Sequence, residues 1–272
     1  MRKLLLLTIV GLLLVACARE GSDGNTDDNS NGVTATPDAT RTAVASAGEA
    51  VSFPTSRDLT LQGTLYGSGG PAVIFAHEPN SDRSAWQPLA VELASRGFAA
   101  LVFDMRGHGE SEGTPLLSLF RDDIEAAIDF VEGRGLTDYV LVGGDYAGME
   151  TIHVAAGRDP AAVVLVSVPE SVAYVALERS LRDADLAALE APKLLIVARD
   201  DRIVVTDEST GNTYQGPDYF REMNNIRDKL SEPLEFVTLD GDGHGSRLLE
   251  TEQRDALIEA VTEFLETHAP PQ

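Results

Sequence analysis

A chain of 272 residues, 43% hydrophobic and 24% charged, has a globular composition and is long enough for one large domain plus a tail. Its formal net charge of −23, with no basic cluster to meet phosphate, excludes nucleic acid and anionic membrane surfaces as partners. A single cysteine excludes an intrachain disulfide framework, and the five histidines are scattered without ligand spacing, so neither a metal nor a cofactor is expected.

Met1-Arg2-Lys3 and the apolar run from Leu4 to Ala16 read as a secretory signal peptide (1–16), its apolar region too short to span a bilayer comfortably. The run closes on Leu14-Val15-Ala16-Cys17, which resembles a bacterial lipobox. That resemblance implies that Cys17 is acylated and becomes the mature N-terminus of a membrane-anchored lipoprotein on the extracytoplasmic side of the cell envelope. Residues 17–50 are rich in Gly, Ser, Asp, Asn, Thr and Ala and have almost nothing to bury, which predicts a flexible tether before a domain over 51–268. The lipid is then the chain's only expected attachment to a membrane.

Leu59 to Tyr66 alternates apolar and polar residues, as half-buried antiparallel strands at a sheet edge do. Ala72–Ala76, Ala99–Phe103, Tyr139–Val142, Ala162–Val166 and Lys193–Val197 are continuous apolar runs, the pattern of parallel strands covered on both faces. Helical spacing predicts helices over Ser84–Arg96, over Phe120 to Val131, from Met149 to Ala156, and through Leu257, Ile258, Val261 and Leu265. Pro169 to Ala191 reads as one short amphipathic connection, and Leu234–Val237 is the last strand. Strands alternating with helices at this pitch predict an α/β fold, a mainly parallel central sheet flanked by helices and joined by right-handed crossovers.

Val140-Leu141-Val142-Gly143-Gly144-Asp145-Tyr146-Ala147-Gly148-Met149 has the layout of a nucleophile elbow, a strand, a tight turn and a helix with one reactive side chain at the tip. Gly143 and Ala147 supply the small residues that such a turn needs. The tip is Asp145, where G-x-S-x-G would place Ser. An Asp at a strand-to-helix turn is also a good helix N-cap, so two roles stand open for it.

Together with the strand ending near His77 and the turn Asp104-Met105-Arg106-Gly107-His108-Gly109-Glu110-Ser111, the elbow resembles the α/β-hydrolase superfamily over about four fifths of the chain. The resemblance implies a catalytic order of nucleophile, acid and histidine, which Asp145, Asp201 and His244 satisfy, and gives His108 a structural place. Asp200 fits the acid by register less well, and Glu170, after the strand ending at Val166, is an alternative acid. A carboxylate at the elbow further resembles haloalkane dehalogenases and epoxide hydrolases. In these a carboxylate attacks a saturated carbon, and water activated by the histidine hydrolyses the resulting ester. Ordinary serine-esterase turnover is disfavoured, because carboxylate attack on an ester carbonyl yields a mixed anhydride.

Two departures stand beside that resemblance. The connection from Pro169 to Ala191 is too short for a helical cap, so little or no cap domain is expected, and the polar insertion Thr206 to Pro217 is the other segment available to cover a pocket. The second departure is His77-Glu78-Pro79-Asn80, which places Pro79, with no N–H, where the fold draws one oxyanion donor. Glu78, Asn80 and Tyr146 are the remaining oxyanion or pocket candidates, Tyr146 also standing where dehalogenases place a halide-binding Trp. The sequence thus supports a hydrolase of a small substrate, by carboxylate attack or direct water activation. A catalytically degenerate fold binding a ligand or protein at the envelope is the alternative.

Overall fold

The computed structural model describes residues 47–174, 177–206 and 213–271. The signal segment, Cys17 and the tether up to residue 46 lie outside them, as do residues 207–212 of the polar insertion. Among the described residues no helix is long and apolar enough to cross a membrane.

The chain opens with β1 (Glu49–Pro54) paired antiparallel to β2 (Thr60–Tyr66). β1 was not apparent in the sequence, where the domain was expected from residue 51; only Val51 and Phe53 of its six residues are buried, too few for a pattern. Then come β3 (Ala72–Ala76), α1 (Gln87–Ser95), β4 (Ala99–Phe103), α2 (Phe120–Gly133), β5 (Tyr139–Gly144), α3 (Asp145–Ala155) and β6 (Ala162–Val166). The helix expected from Ser84 begins as a 3-10 turn, Arg83–Trp86, and becomes α-helical at Gln87, with a proline in its first turn.

The connection from Pro169 to Ala191 is more than one amphipathic segment. It holds a hairpin, β7 (Ser171–Tyr174) with β8 (Leu177–Ser180), and the short helix α4 (Asp183–Ala187). After β9 (Lys193–Ala198), a second hairpin of β10 (Arg202–Thr206) and β11 (Thr213–Asp218) leads into α5 (Tyr219–Arg227). β12 (Leu234–Leu239) and α6 (Arg254–His268) complete the domain. Among the described residues these hairpins stand in place of a helical cap.

The eight-stranded sheet runs β1-β2-β4-β3-β5-β6-β9-β12 and is parallel from β4 onward. Period-two geometry explains why its central strands are apolar throughout. In β3, Ala72, Ile74 and Ala76 enter the core under α2 and α3, while Val73 and Phe75 enter the core under α1 and α6. β5 divides likewise, with Leu141 on the first side and Val140 and Val142 on the second. Burying each such Leu, Ile or Val side chain contributes about 1.5–3 kcal/mol, so a polar residue on either face would be costly. Loops leaving the C-terminal ends of β3, β5, β6, β9 and β12 therefore gather along one sheet edge, where open α/β sheets place their ligands.

Candidate active site

β5 runs into Gly143 and Gly144, and α3 begins at Asp145 with φ +47°, a left-handed conformation that non-glycine residues rarely adopt. Strain of this kind costs about 1–3 kcal/mol and persists only where packing enforces it. Packing does so here. A Cβ on Gly143 would lie 2.4 Å from Thr151 Oγ1 and 2.8 Å from Gly148 Cα, so α3 can approach the strand only because that atom is missing. Asp145 is not the N-cap: Gly144 holds that position, with no side chain to cap the helix, and Asp145 is the first helical residue. The Asp145 carboxylate instead accepts a hydrogen bond from the Tyr219 hydroxyl at 2.8 Å through Oδ1.

β12 delivers His244, and β9 delivers Asp201, which is 1% exposed. His244 Nδ1 meets the two Asp201 oxygens at 3.0 and 3.2 Å, so the proton sits on Nδ1 and Nε2 is left with its lone pair. Nε2 lies 4.0 Å from Asp145 Oδ1, too long for a direct hydrogen bond. Asp200 is exposed and gives only its backbone N–H to Gly241, so Asp201 holds the histidine. The chain beyond His244 is pinned twice, Gly245 N–H donating to Ser167 Oγ at 3.0 Å and Ser246 N–H to Glu78 Oε1 at 2.6 Å.

A cleft of about 400 Å³ opens over these groups, with Glu78, Asn80, Asp145, Ile203 and His244 among its walls. Burial pushes the Asp145 carboxyl above its ordinary range, against the opposing pull of His244, Tyr219 and the Tyr146 N–H. Burial likewise raises Glu78, although Ser246, its own N–H and His244 favour its charge. Burial opposes charge on His244, but the Asp201 hydrogen bond and the Asp201, Asp145 and Glu78 charges outweigh it and raise its pKa. No group of His, Cys, Asp and Glu fit to hold a metal occurs among the described residues.

The sequence candidates divide clearly in space. Glu170 is engaged by Lys229 at 2.6 Å and by Asn225 at 3.1 Å, while His244 Nδ1 is taken by Asp201, so the alternative acid is not realised. The Tyr146 side chain is fully buried away from the cleft; its hydroxyl donates to Glu150 at 3.0 Å, and burial pushes its pKa up to about 12. It therefore has no place as a halide-binding side chain, and only its N–H stays at the elbow. Asn80 is exposed on the cleft wall.

Glu78 departs furthest from expectation. Its carboxylate also accepts the Ser246 hydroxyl at 2.8 Å and fits between Gly144 and Gly245, where a Cβ on either would come within 2.3 Å of Oε1. His77 accepts Met105 N–H on Nε2 and donates from Nδ1 to Glu78 C=O, and burial holds its pKa down at about 4. His108 bonds the carbonyls of Arg106 and Pro79, fastening the same loop to the turn after β4.

Tyr219 was missed in the sequence. At the first turn of α5 it touches all three central groups: Asp145 through its hydroxyl, His244 through its ring at 4.3 Å between centroids, and Asp201, whose C=O accepts its N–H at 3.0 Å. Gly216-Pro217-Asp218-Tyr219, a turn ahead of a capped helix, was the only local signal, and it carried no hint of chemistry.

Comparison with known proteins agrees with this geometry at the level of the fold. The uncharacterized protein YfhR of Escherichia coli (strain K12) is 34% identical over 141 residues, covering 47% of this chain and 50% of that one. The chain thus spans about half the length of this relative. Bifunctional epoxide hydrolase 2 of Rattus norvegicus is 29% identical over 88 residues, 32% of this chain and 16% of its own. Among solved structures, the esterase Pf2001 of Pyrococcus furiosus superposes with a TM-score of 0.66 at 17% identity, covering 81% of this chain and 90% of its own. The model of the alpha/beta hydrolase family matches residues 67–221, more than half of the sequence, and on that match and this sheet order the chain belongs to the alpha/beta hydrolase family.

Proposed function

We propose that this protein hydrolyses a small substrate bearing an electrophilic saturated carbon, an alkyl halide or an epoxide, through a covalent ester on Asp145. The observation that carries the reading is the elbow itself: a strained carboxylate, turned out of its helix cap into a cleft, faces the unprotonated nitrogen of a histidine held by Asp201. An Asp145 oxygen attacks the carbon and forms a C–O bond. The carbon–halogen bond breaks to release halide, or an epoxide C–O bond breaks and its oxygen takes a proton from solvent water.

Water then gives a proton to His244 Nε2 while its oxygen adds to the Asp145 carboxyl carbon, and Asp201 stabilises the imidazolium that forms. Collapse expels the alkoxide, which takes the proton from His244, and the carboxylic acid left on Asp145 loses its proton to solvent, so that the carboxylate and the neutral histidine are restored. The 4.0 Å gap between Nε2 and Oδ1 suits this order, since it keeps the base off the nucleophile and admits a water beside it. Likeness over part of an epoxide hydrolase supports the reading, and a 400 Å³ cleft without a helical cap limits it to small substrates.

We propose further that the domain is held at the extracytoplasmic face of the envelope by a lipid on Cys17, a reading supported by Leu14-Val15-Ala16-Cys17. The covalent step is tested by trapping. A His244→Ala variant should gain the mass of one butyl group from 1-bromobutane, or of the whole epoxide, as a hydroxybutyl ester, from 1,2-epoxybutane, mapped by peptide digestion to Asp145. An unmodified mass across a broad panel of halides and epoxides contradicts the reading and favours a ligand-binding module, which the loss of the N–H at Pro79 also favours.

A further inference from the structure

The loop after β3 leaves the site one donor short. Pro79, at the place that usually supplies one donor of the pair, has no N–H, so from that pair the Tyr146 N–H remains at the elbow. Hydrolysis of an Asp145 ester places negative charge on the carboxyl oxygen that is not bonded to the substrate. That charge develops on the carboxyl group of a residue that is 7% exposed, where a second fixed donor replaces the water that burial removes.

We propose, resting on the Asp145 nucleophile above, that the Tyr219 hydroxyl is this donor: it binds Oδ1 at 2.8 Å, leaves the attack to Oδ2, and stabilises the oxyanion that forms on Oδ1 when water adds. Its position suits the role. The ring is 1% exposed, packs on the His244 imidazole, and is fixed at the backbone by Asp201 C=O, so the hydroxyl has little freedom to leave Oδ1. A donor already in place when charge develops needs no reorganisation, and loss of one such donor costs about 100- to 1000-fold in rate. During the step the phenol keeps its proton. The proton from water goes to His244 Nε2, and on collapse it passes to the departing alkoxide, so Tyr219 gains and loses nothing.

The two chemical steps separate this role from a merely structural one. In quenched-flow intact-mass measurements with 1-bromobutane and 1,2-epoxybutane, Tyr219→Phe should form the alkyl ester within about threefold of the parent rate and hydrolyse it about 100-fold more slowly, so that ester accumulates with His244 intact. Hydrolysis at the parent rate overturns the proposal, and so does a loss confined to ester formation, which would mean that Tyr219 only positions Asp145. An ester that appears in His244→Ala but not in Tyr219→Phe counts against Tyr219 alone. No ester in the parent, His244→Ala or Tyr219→Phe removes the nucleophile reading beneath it.

Discussion

Three carboxylates, Asp145, Asp201 and Glu78, surround one imidazole, and the burial of Asp145 and Glu78 together with the hydrogen bond from His244 to Asp201 sets how the site responds to pH. His244 must be neutral to accept a proton from water, and its pKa lies above the ordinary value of about 6.5. Ester hydrolysis should therefore fall as pH drops through a midpoint above about 6.5; single-turnover rates across pH 5 to 9 check this, and a midpoint at or below 6.5 contradicts it. The stability sign runs the other way. A raised folded pKa on His244 contributes stability that is full below the unfolded value and is lost as pH rises through the folded one. Asp145 and Glu78 are raised too and act in the same sense at lower pH, so the deprotonated, reactive form is the one these groups favour least. At this scale Asp145, Asp201 and His244 were legible because each follows an apolar strand within a few positions. Tyr219 was not, since its partner Asp145 is 74 positions away and a polar insertion separates it from the preceding strand of the main sheet.

At the scale of elements, the elbow works because a strand and a helix share space that has no room for a Cβ at Gly143. Thr151, the nearer obstacle, is itself bonded to Ala147 C=O at 2.8 Å, and the other is backbone, so neither yields without disturbing α3. Gly143→Ala should cost about 2 kcal/mol by overpacking, read from urea unfolding at unchanged slope. A loss below about 0.5 kcal/mol would show that the turn relaxes more freely than this packing allows. The five central parallel strands were legible because burial on both faces leaves a continuous apolar run. β7, β8, β10 and β11 were hidden for a different reason: they form two hairpins outside the main sheet, and the one long apolar run among them, Val172 to Leu177, is shared between β7 and β8 and so does not mark a single buried strand. Pro79 was legible as a departure from the family pattern, and Glu78 as an oxyanion or pocket candidate but not as a brace, because its partners Gly144, Gly245 and Ser246 lie on two other loops.

For the molecule as a whole, one sheet edge collects the C-terminal ends of the six parallel strands, and with them the elbow, Asp201, the His244 loop and the loop after β3. A net charge of −23 fits a domain that meets neutral small molecules rather than phosphate. Two ways of using this edge share every residue named above: the substrate bonds to Asp145, or Asp145 and His244 direct water onto the substrate without a covalent stage. An oxygen label distinguishes them in one measurement. Enzyme prepared in ordinary water is mixed, in excess over 1-bromobutane or 1,2-epoxybutane, with water enriched in oxygen-18, and the alcohol from the first turnover is analysed by mass. Attack by Asp145 predicts a first-turnover product carrying unlabelled oxygen from the carboxylate, with the label entering Asp145 instead. A product fully labelled from solvent would contradict the covalent route.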